Sequence, residues 1–470
     1  MAWTIGKNSI ENLTTGTYKN SPVIFREYIQ NSCDAIDAAG IFDAGKVEIT
    51  IDAEERKITI EDNGTGISVL DFKPILMTIA DSNKSRDKNR GFRGIGRLCG
   101  IAYCKELRFI SSAKGEGIQS TMIFDAKNIC AKLYGKEKSK AEDLLDEFTE
   151  FKTTATDIDE HFFRVELIDI VETNKDLLDV EKVRDYLSFV APATYSPQLY
   201  YQELIYKHAA ALNFKIAEYK ILVNGEPVVK NYKTNIRTKN GADEIFGLDF
   251  QDFYDGDKLI AWSWIGLSNF KGVLSEERDT PDNKMRGIRL RAGNIQIGDW
   301  DVFKNLFKEE RGTKYFIGEI HAVDTNLIPN ARRDYFVENE ARNVFEEKLK
   351  NYFAELHKIY HFASDVRSAQ RAINAPAESA HEFKNKSATY QKSHQAEYDA
   401  DLVKLNKNAK YAANKLADIK QTADKNSDSA LSRVVLRMTE NQKTKNPPPQ
   451  STSAARKKTK KIPPVTMAKR

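Results

Sequence analysis

The sequence predicts an α+β protein, and three observations carry that expectation. Residues 26–38 have helical periodicity, residues 47–60 hold two alternating runs around a short turn, and further alternating or aromatic runs of strand length follow. With 470 residues, 41% hydrophobic and 10% aromatic, the chain can bury more than one core. The expected order is an N-terminal α/β domain over residues 1–170, a connecting helix over 171–190 and a second α/β domain over 191–364. A helical segment over 365–440 and a disordered basic tail over 441–470 complete it.

The stretch Arg26-Glu27-Tyr28-Ile29-Gln30-Asn31-Ser32-Cys33-Asp34-Ala35-Ile36-Asp37-Ala38 organises the first domain. At about 100° per residue, Glu27, Asn31 and Asp34 share one narrow sector, while Phe25, Ile29, Cys33 and Ile36 fall opposite. The apolar stripe can pack on a sheet. The polar stripe stacks two carboxylates and an amide with no Lys or Arg among them, and such groups repel unless something cationic or protic lies between. A Mg²⁺ ion and an attacking water would fit there; a solvated polar face is the equal alternative.

Next, Val47-Glu48-Ile49-Thr50-Ile51 and Lys57-Ile58-Thr59-Ile60 alternate around a turn at 52–55, a β-hairpin running into Glu61-Asp62-Asn63-Gly64-Thr65-Gly66. Glycines after an acidic residue at a strand end allow a sharp bend and room for a flat ligand, with Asp62 able to accept from an exocyclic amine. Taken singly, the segment is better explained by a β-turn. Gly91-Phe92-Arg93-Gly94-Ile95-Gly96-Arg97-Leu98-Cys99-Gly100 can present backbone N–H groups to phosphates. It lacks the Gly-Lys-Ser/Thr of a Walker A loop, and Cys99 stands where a dinucleotide fingerprint needs its third glycine.

In order, Glu-x-x-x-Asn-x-x-Asp-Ala, Asp-x-Gly-x-Gly and Gly-x-x-Gly-x-Gly resemble the GHKL ATP-binding domain shared by gyrase B, the ninety-kilodalton heat-shock chaperones, histidine kinases and MutL. The resemblance implies a two-layer α/β sandwich, the Bergerat fold, binding ATP with Mg²⁺. It makes Glu27 the general base and Asn31 the Mg²⁺ ligand, places Asp34 among the nucleotide-binding residues, and puts Asp62 on the adenine amine. Gly64 and Gly66 then line the base pocket, and Gly91, Gly94 and Gly96 wrap the phosphates. Asp81-Ser82-Asn83-Lys84 is similar to the Ser-x-Lys segment that opens the nucleotide lid, which adds Ser82 and Lys84 to the site; the polar run 81–90 suits a merely solvated lid equally well. The Gly-Thr pair usual before the last strand is absent; residues 161–167 occupy that place.

Residues 105–112, 119–125 and 162–169 read as strands, residues 136–150 as an exposed helix around Leu144 and Leu145, and residues 180–190 as the connecting helix. In the second domain, residues 219–223, 258–264, 287–291 and 315–321 read as strands, and their aromatic content implies a buried sheet. Leu327-Ile328-Pro329-Asn330-Ala331-Arg332-Arg333-Asp334 resembles the catalytic loop of the heat-shock chaperones' middle domain. By position Arg333 is then the arginine that meets the γ-phosphate, reaching it once ATP docks the two domains, and Arg332 has no counterpart. An Arg pair beside Asp334 forming surface ion pairs is the alternative, and the catalytic reading is preferred because it completes a site that otherwise lacks a cation for the phosphoryl group. Residues 339–363 have the spacing of a closing helix.

No apolar run approaches the roughly 20 residues of a membrane span, and the first seven residues lack a signal peptide's apolar core, so a cytoplasmic protein is expected. Cys33, Cys99, Cys104 and Cys130 show no Cys-x-x-Cys spacing and read as reduced packing thiols. His357 and His361 have a zinc pair's spacing, but Lys358 replaces the metalloprotease Glu, so they read as surface or packing residues. Tyr398, Leu402, Leu405, Ala409, Ala412, Leu416, Ile419 and Ala423 follow a 4-3-4-3 rhythm that suits a short coiled coil or, equally, a helical hairpin against residues 431–438. Residues 441–470 carry nine Lys or Arg and no acid, so a chain of net charge +4 has a body of net −5. Attraction to nucleic acid is thus concentrated in the tail.

Together these features predict a Mg²⁺-dependent ATPase with chaperone-like closure driven by ATP, protein clients and an ATP-dependent homodimer. The rival is a clamp acting on nucleic acid in genome maintenance or defence, similar to MORC or MutL proteins, in which the tail tracks phosphates.

Overall fold

A computed structural model describes residues 6–7, 10, 21–78, 96–136, 140–238, 241–272, 284–424 and 429–440. Its contacts gather into two units, Met1–Arg367 and Ser368–Arg470.

The first unit holds two main sheets. The larger has eight strands in the order β5-β4-β3-β6-β2-β1-β7-β8. Its hairpin is the expected one: β1 (Lys46–Asp52) and β2 (Lys57–Asp62) pair from Val47↔Asp62 to Asp52↔Lys57. Asp52 closes the turn, its Oδ1 accepting the N–H groups of Glu54 and Glu55 at 3.0 Å each. The antiparallel strands β3 (Cys104–Ser112) and β4 (Ile118–Phe124) follow, and β6 (Phe162–Ile170) lies between β3 and β2.

Helix α1 (Val23–Ala39) packs on this sheet as its periodicity dictates. Phe25, Ile29, Cys33 and Ile36 are buried in one core with Val47, Ile49, Ile60, Phe109 and Val165. The helix stops at Gly40, whose φ of 66° suits a residue without Cβ and whose N–H bonds the Asp37 carbonyl. Helix α2 (Val69–Met77) is capped by Ser68, and α3 (Ala126–Tyr134) by Asp125.

Two elements depart from the sequence expectation. Among the described residues of 136–150, helix is confined to the short α4 (Ala141–Glu147), its Leu144 and Leu145 are buried, and the chain then enters β5 (Thr149–Ala155). This edge strand is exposed on both faces, so its side chains carry no inside-outside alternation. Residues 219–223 were expected in the second domain, yet β7 (Lys220–Val223) pairs in parallel with β1, followed by β8 (Glu226–Pro227). Asn224 fastens the joint, its Oδ1 accepting Ile51 N–H at 2.7 Å and its Nδ2 donating to the Ile51 carbonyl at 3.0 Å. The connecting helix α5 (Val180–Val190) buries Val183 and Leu187 in this same core.

Helix α6 (Gln202–Ala211) and the hairpin β9 (Asn235–Thr238) and β10 (Gly241–Glu244) border the second sheet. That sheet runs β11-β12-β15-β13-β14. Its strands are β11 (Gly247–Asp255), β12 (Lys258–Leu267), β13 (Gly287–Ala292), β14 (Ile295–Ile297) and β15 (Ile317–Ala322). Trp262 and Trp264 of β12 are buried with Tyr195 and Tyr232, so the aromatic runs do form a core. Helix α7 (Glu340–Lys384) contributes Phe345, Leu349, Tyr352 and Phe353, with Tyr352 packed on Phe253 and Phe353 on Phe307. His357 and His361 pack on each other and on Tyr360.

In the second unit, α8 (Ala388–Asp424) and α9 (Ala430–Glu440) contact one another, burying Leu416, Ile419 and Ala423 on one side and Val434, Val435 and Met438 on the other. Ser432 Oγ donates to the Ala423 carbonyl at 2.5 Å. Of the heptad residues, Ala412, Leu416, Ile419 and Ala423 are buried, and α8 and α9 form a helical hairpin. The tail lies outside the described residues.

Candidate active site

Glu27 sits one turn into α1 and is buried. Its Oε1 meets two guanidiniums: Arg26, whose Nη2 donates at 3.4 Å, and Arg333, whose Nε is 3.3 Å away. The expectation of a polar stripe without cations is therefore corrected. Arg26 lies off the stripe by about 100° yet its long side chain folds back onto the carboxylate, and Arg333 arrives from 306 residues further on. Arg26 Nη2 also donates to the Arg332 carbonyl at 3.3 Å, so the helix and the arginine loop hold each other. Glu27 Oε2 takes no hydrogen bond among the described residues and faces Gly96, where an added Cβ would stand 2.6 Å from it.

The arginine loop is closed by backbone pairing. Pro329 bridges Phe336, Asn330 N–H donates to the Tyr335 carbonyl at 2.9 Å, and Val337 N–H to the Ile328 carbonyl at 2.8 Å. At its apex Arg333 has φ 54°, a left-handed conformation that a β-substituted residue adopts only when its surroundings impose it.

Asp62 ends β2, buried, with Oδ1 accepting the Gly64 N–H at 3.0 Å. The glycines answer to backbone packing. A Cβ on Gly64 would meet Ala35 of α1 at 2.7 Å, and Gly66, with φ 64°, would meet the Ser112 carbonyl at 1.8 Å. His161, in the place of the missing Gly-Thr pair, sets its Nδ1 2.7 Å from the Gly64 carbonyl. Asp34 is buried, whereas Asn31 and Ala35 are half-buried and Ala38 is exposed, so the accessible strip of α1 passes through 31, 35 and 38. Ser82, Lys84, Gly91 and Gly94 lie outside the described residues.

From Gly96 the chain forms a 3₁₀ helix, Gly96–Ala102. Tyr28 of α1 holds it at both ends, donating to the Arg97 carbonyl at 3.0 Å and accepting the Gly100 N–H at 3.1 Å. Burial pushes the Tyr28 hydroxyl and the Cys99 thiol well up, the negative Glu27 adding to the effect on Cys99. Both stay neutral beside the carboxylate. Arg97 carries a charge that burial disfavours, lowering its pKa, and its Nη1 is buried without a hydrogen-bond partner among the described residues. All four cysteines are free thiols.

The donor set fits a nucleotide with Mg²⁺. Glu27 and Ala35 are about 12 Å apart along the helix axis, the scale of an extended nucleoside triphosphate. A carboxylate acceptor stands at the Ala35 end, a cation-flanked carboxylate at the other, and the Asn31 amide between. Among the described residues no cluster of three or more His, Cys, Asp or Glu could hold a metal ion. A lone amide oxygen suits Mg²⁺, which completes its shell with phosphate oxygens and water.

The N-terminal segment is similar to known ATPases. Residues 19–156 match the family described as Histidine kinase-, DNA gyrase B-, and HSP90-like ATPase. This segment is similar to GHKL-type ATPase domains. A type 2 DNA topoisomerase 6 subunit of Pyrococcus horikoshii is 30% identical over 133 residues, 26% of this chain and 23% of that protein. The corresponding topoisomerase subunit of Thermococcus onnurineus is 28% identical over 132 residues, with the same two coverages. The chain thus matches less than a quarter of these curated relatives' length. A GHKL domain supports ATP binding and hydrolysis, and these similarities do not extend to the remainder of the chain. Among the described residues no helix is long and apolar enough to cross a membrane.

Arg26 and Arg97 are the site residues that sequence reasoning left without a role. Both stand inside the quoted motifs, but an Arg beside a Glu reads as a surface pair. The missing signal was burial.

Proposed function

We propose that the chain hydrolyses ATP at the GHKL-type site with an arginine supplied by the loop between β15 and α7. The observation carrying this reading is the division of labour on Glu27: Oε1 is anchored by Arg26 and Arg333, and Oε2 faces the glycine loop. A carboxylate fixed by one oxygen can orient a water with the other, which is what in-line attack on a γ-phosphate needs. Arg333 meets Glu27 through Nε, and the outer nitrogens of a guanidinium fork match phosphate oxygens. It can therefore stabilise transferring charge without leaving the base. Asp62 would accept the adenine amine, Asn31 would hold Mg²⁺, and Arg97, whose Nη1 has no hydrogen-bond partner among the described residues, would meet the phosphates. Bound Mg²⁺ supplies neutralisation of the phosphate oxygens. Phosphate release from Mg²⁺–ATP, together with nucleotide titration, tests the reading; a wild-type protein that binds ATP without turnover overturns it.

What turnover drives is proposed in two forms. The arginine loop supports chaperone-like closure, with protein clients and an ATP-dependent homodimer. The similarity to DNA topoisomerase subunits and the nine basic residues after Glu440 support action on nucleic acid, and we favour this second form. Truncation after Glu440 should then leave turnover unchanged and flatten the salt dependence of binding to duplex DNA. Absence of any DNA retention by the full chain at low salt favours the chaperone-like form instead.

A further inference from the structure

The loop carrying Arg333 is braced from behind by the β13–β14 hairpin. Gly298, just past β14, donates its N–H to the Arg333 carbonyl at 2.8 Å, and the Gly298 carbonyl accepts from Gln296 Nε2 at 2.8 Å. Gln296 is itself fixed, because its Oε1 accepts from Arg289 Nη1 at 2.9 Å. Arg289 stacks its guanidinium 4.2 Å over the Phe189 ring of α5 and donates to the Lys284 carbonyl. Both side chains are buried, so neither bond is shared with solvent. Gly298 has φ 67°, and a Cβ there would stand 2.7 Å from the Asp334 carbonyl, so the brace lies in tight contact with the arginine loop. One line of bonded groups therefore runs from α5 through Arg289, Gln296 and Gly298 to Arg333 and Glu27.

We infer that Gln296 is a positioning residue for ATP hydrolysis: by holding Gly298 it fixes the backbone of Arg333, and through it the guanidinium that anchors Glu27. The inference rests on the ATPase reading above. Its physical basis is that a left-handed arginine at a loop apex is held from outside, and the Gly298–Gln296 pair is the backbone brace that reaches it. Misplacing a catalytic group by about 1 Å costs on the order of a hundredfold in rate, so a residue that never touches ATP can still set the rate.

The test compares Gln296→Leu and Gln296→Glu, each alone and combined with Arg333→Ala. Gln296→Glu keeps the shape and the acceptor for Arg289 but loses the donor to Gly298, so both variants should lower kcat by about tenfold to a hundredfold. ATP affinity and the melting temperature of Gln296→Glu should stay near wild type. In the Arg333→Ala background either change should alter kcat by less than about twofold, because Gln296 then has nothing to position. Multiplying effects in the double variants, or wild-type kcat in Gln296→Glu, overturns the inference while leaving the ATPase reading intact. An Arg333→Ala protein with undiminished kcat removes the catalytic role of Arg333 and this inference together.

Discussion

Glu27 and Glu319 are both buried carboxylates flanked by two cations, and they differ in how their oxygens are used. Glu319, on β15, is saturated. Its Oε1 accepts from Arg291 Nε at 2.8 Å and Tyr232 at 3.1 Å, while Oε2 accepts from Tyr195 at 2.5 Å and Lys230 at 3.1 Å and faces His321 Nε2 at 3.2 Å. Burial alone would raise its pKa, but Arg291 and Lys230 hold it well below the usual carboxylate range. Glu27 instead has one anchored oxygen and one that takes no hydrogen bond among the described residues. A carboxylate with every lone pair matched can only brace the fold, whereas one left half-matched beside a phosphate-binding loop can take a proton or orient water.

The strongest way to break this contrast is to remove each carboxylate in turn. Glu27→Ala should cut phosphate release by on the order of a thousandfold with near-normal ATP binding, because the oxygen that orients water is lost. Equal loss of binding would make Glu27 a scaffold like Glu319. Glu319→Ala should do the reverse, destabilising the protein by about 3–5 kcal/mol through two unmatched buried cations, while the folded fraction keeps its specific activity. Chemical denaturation read beside turnover separates these outcomes.

Arg333→Ala should lower kcat by about tenfold to a thousandfold with little effect on ATP affinity, the pattern of an interaction that matters late. Arg332→Ala should do much less, since the backbone carbonyl of Arg332 is what Arg26 grips. Lys at 333 should rescue poorly, lacking a fork that serves base and phosphate together. A silent Arg333→Ala beside a crippled Arg332→Ala would reverse the assignment of the loop.

The smallest expected effect sharpens the structural side. Burial pushes the pKa of His321 down to about 4, against the pull of Glu319, with Lys230 and Arg291 adding to the decrease. Between that value and the ordinary 6.5 the unfolded chain binds more protons than the folded one, so stability falls as pH drops through this window. His321→Phe keeps a ring to stack on Trp262, which lies 4.4 Å away, and should flatten the melting-temperature slope between pH 6.5 and 4.5. An unchanged slope would assign the acid sensitivity to other groups.

Much of the fold was legible because its signals are local. The stripe of Phe25, Ile29, Cys33 and Ile36, the alternation from Val47 to Ile60 and the aromatic run at Trp262 and Trp264 each name their element unaided. β5 was not legible, since Thr149–Ala155 is solvated on both faces and lacks an apolar period. Within the site, spacing alone put Glu27, Asn31 and Asp34 in one sector of the helix but left a cation site and a solvated face level. The anchoring of Glu27 was hidden because Arg26 depends on a side chain folding back, and Arg333 on a contact across 306 residues. Gln296 was hidden for a related reason: its role depends on the left-handed turn at Gly298, which a two-residue spacing does not advertise.

The parallel pairing of β7 with β1 has a consequence for biosynthesis. Until residue 223 leaves the ribosome, β1 has no partner on its outer side, and its exposed backbone is a template for pairing with another chain. The GHKL-type domain therefore completes its sheet only after α5 and α6 have been made, a long-range closure that delays folding and favours chaperoned synthesis. A fragment ending at residue 170 or 190, although it contains every GHKL motif, should go into inclusion bodies where one ending beyond Pro227 stays in solution.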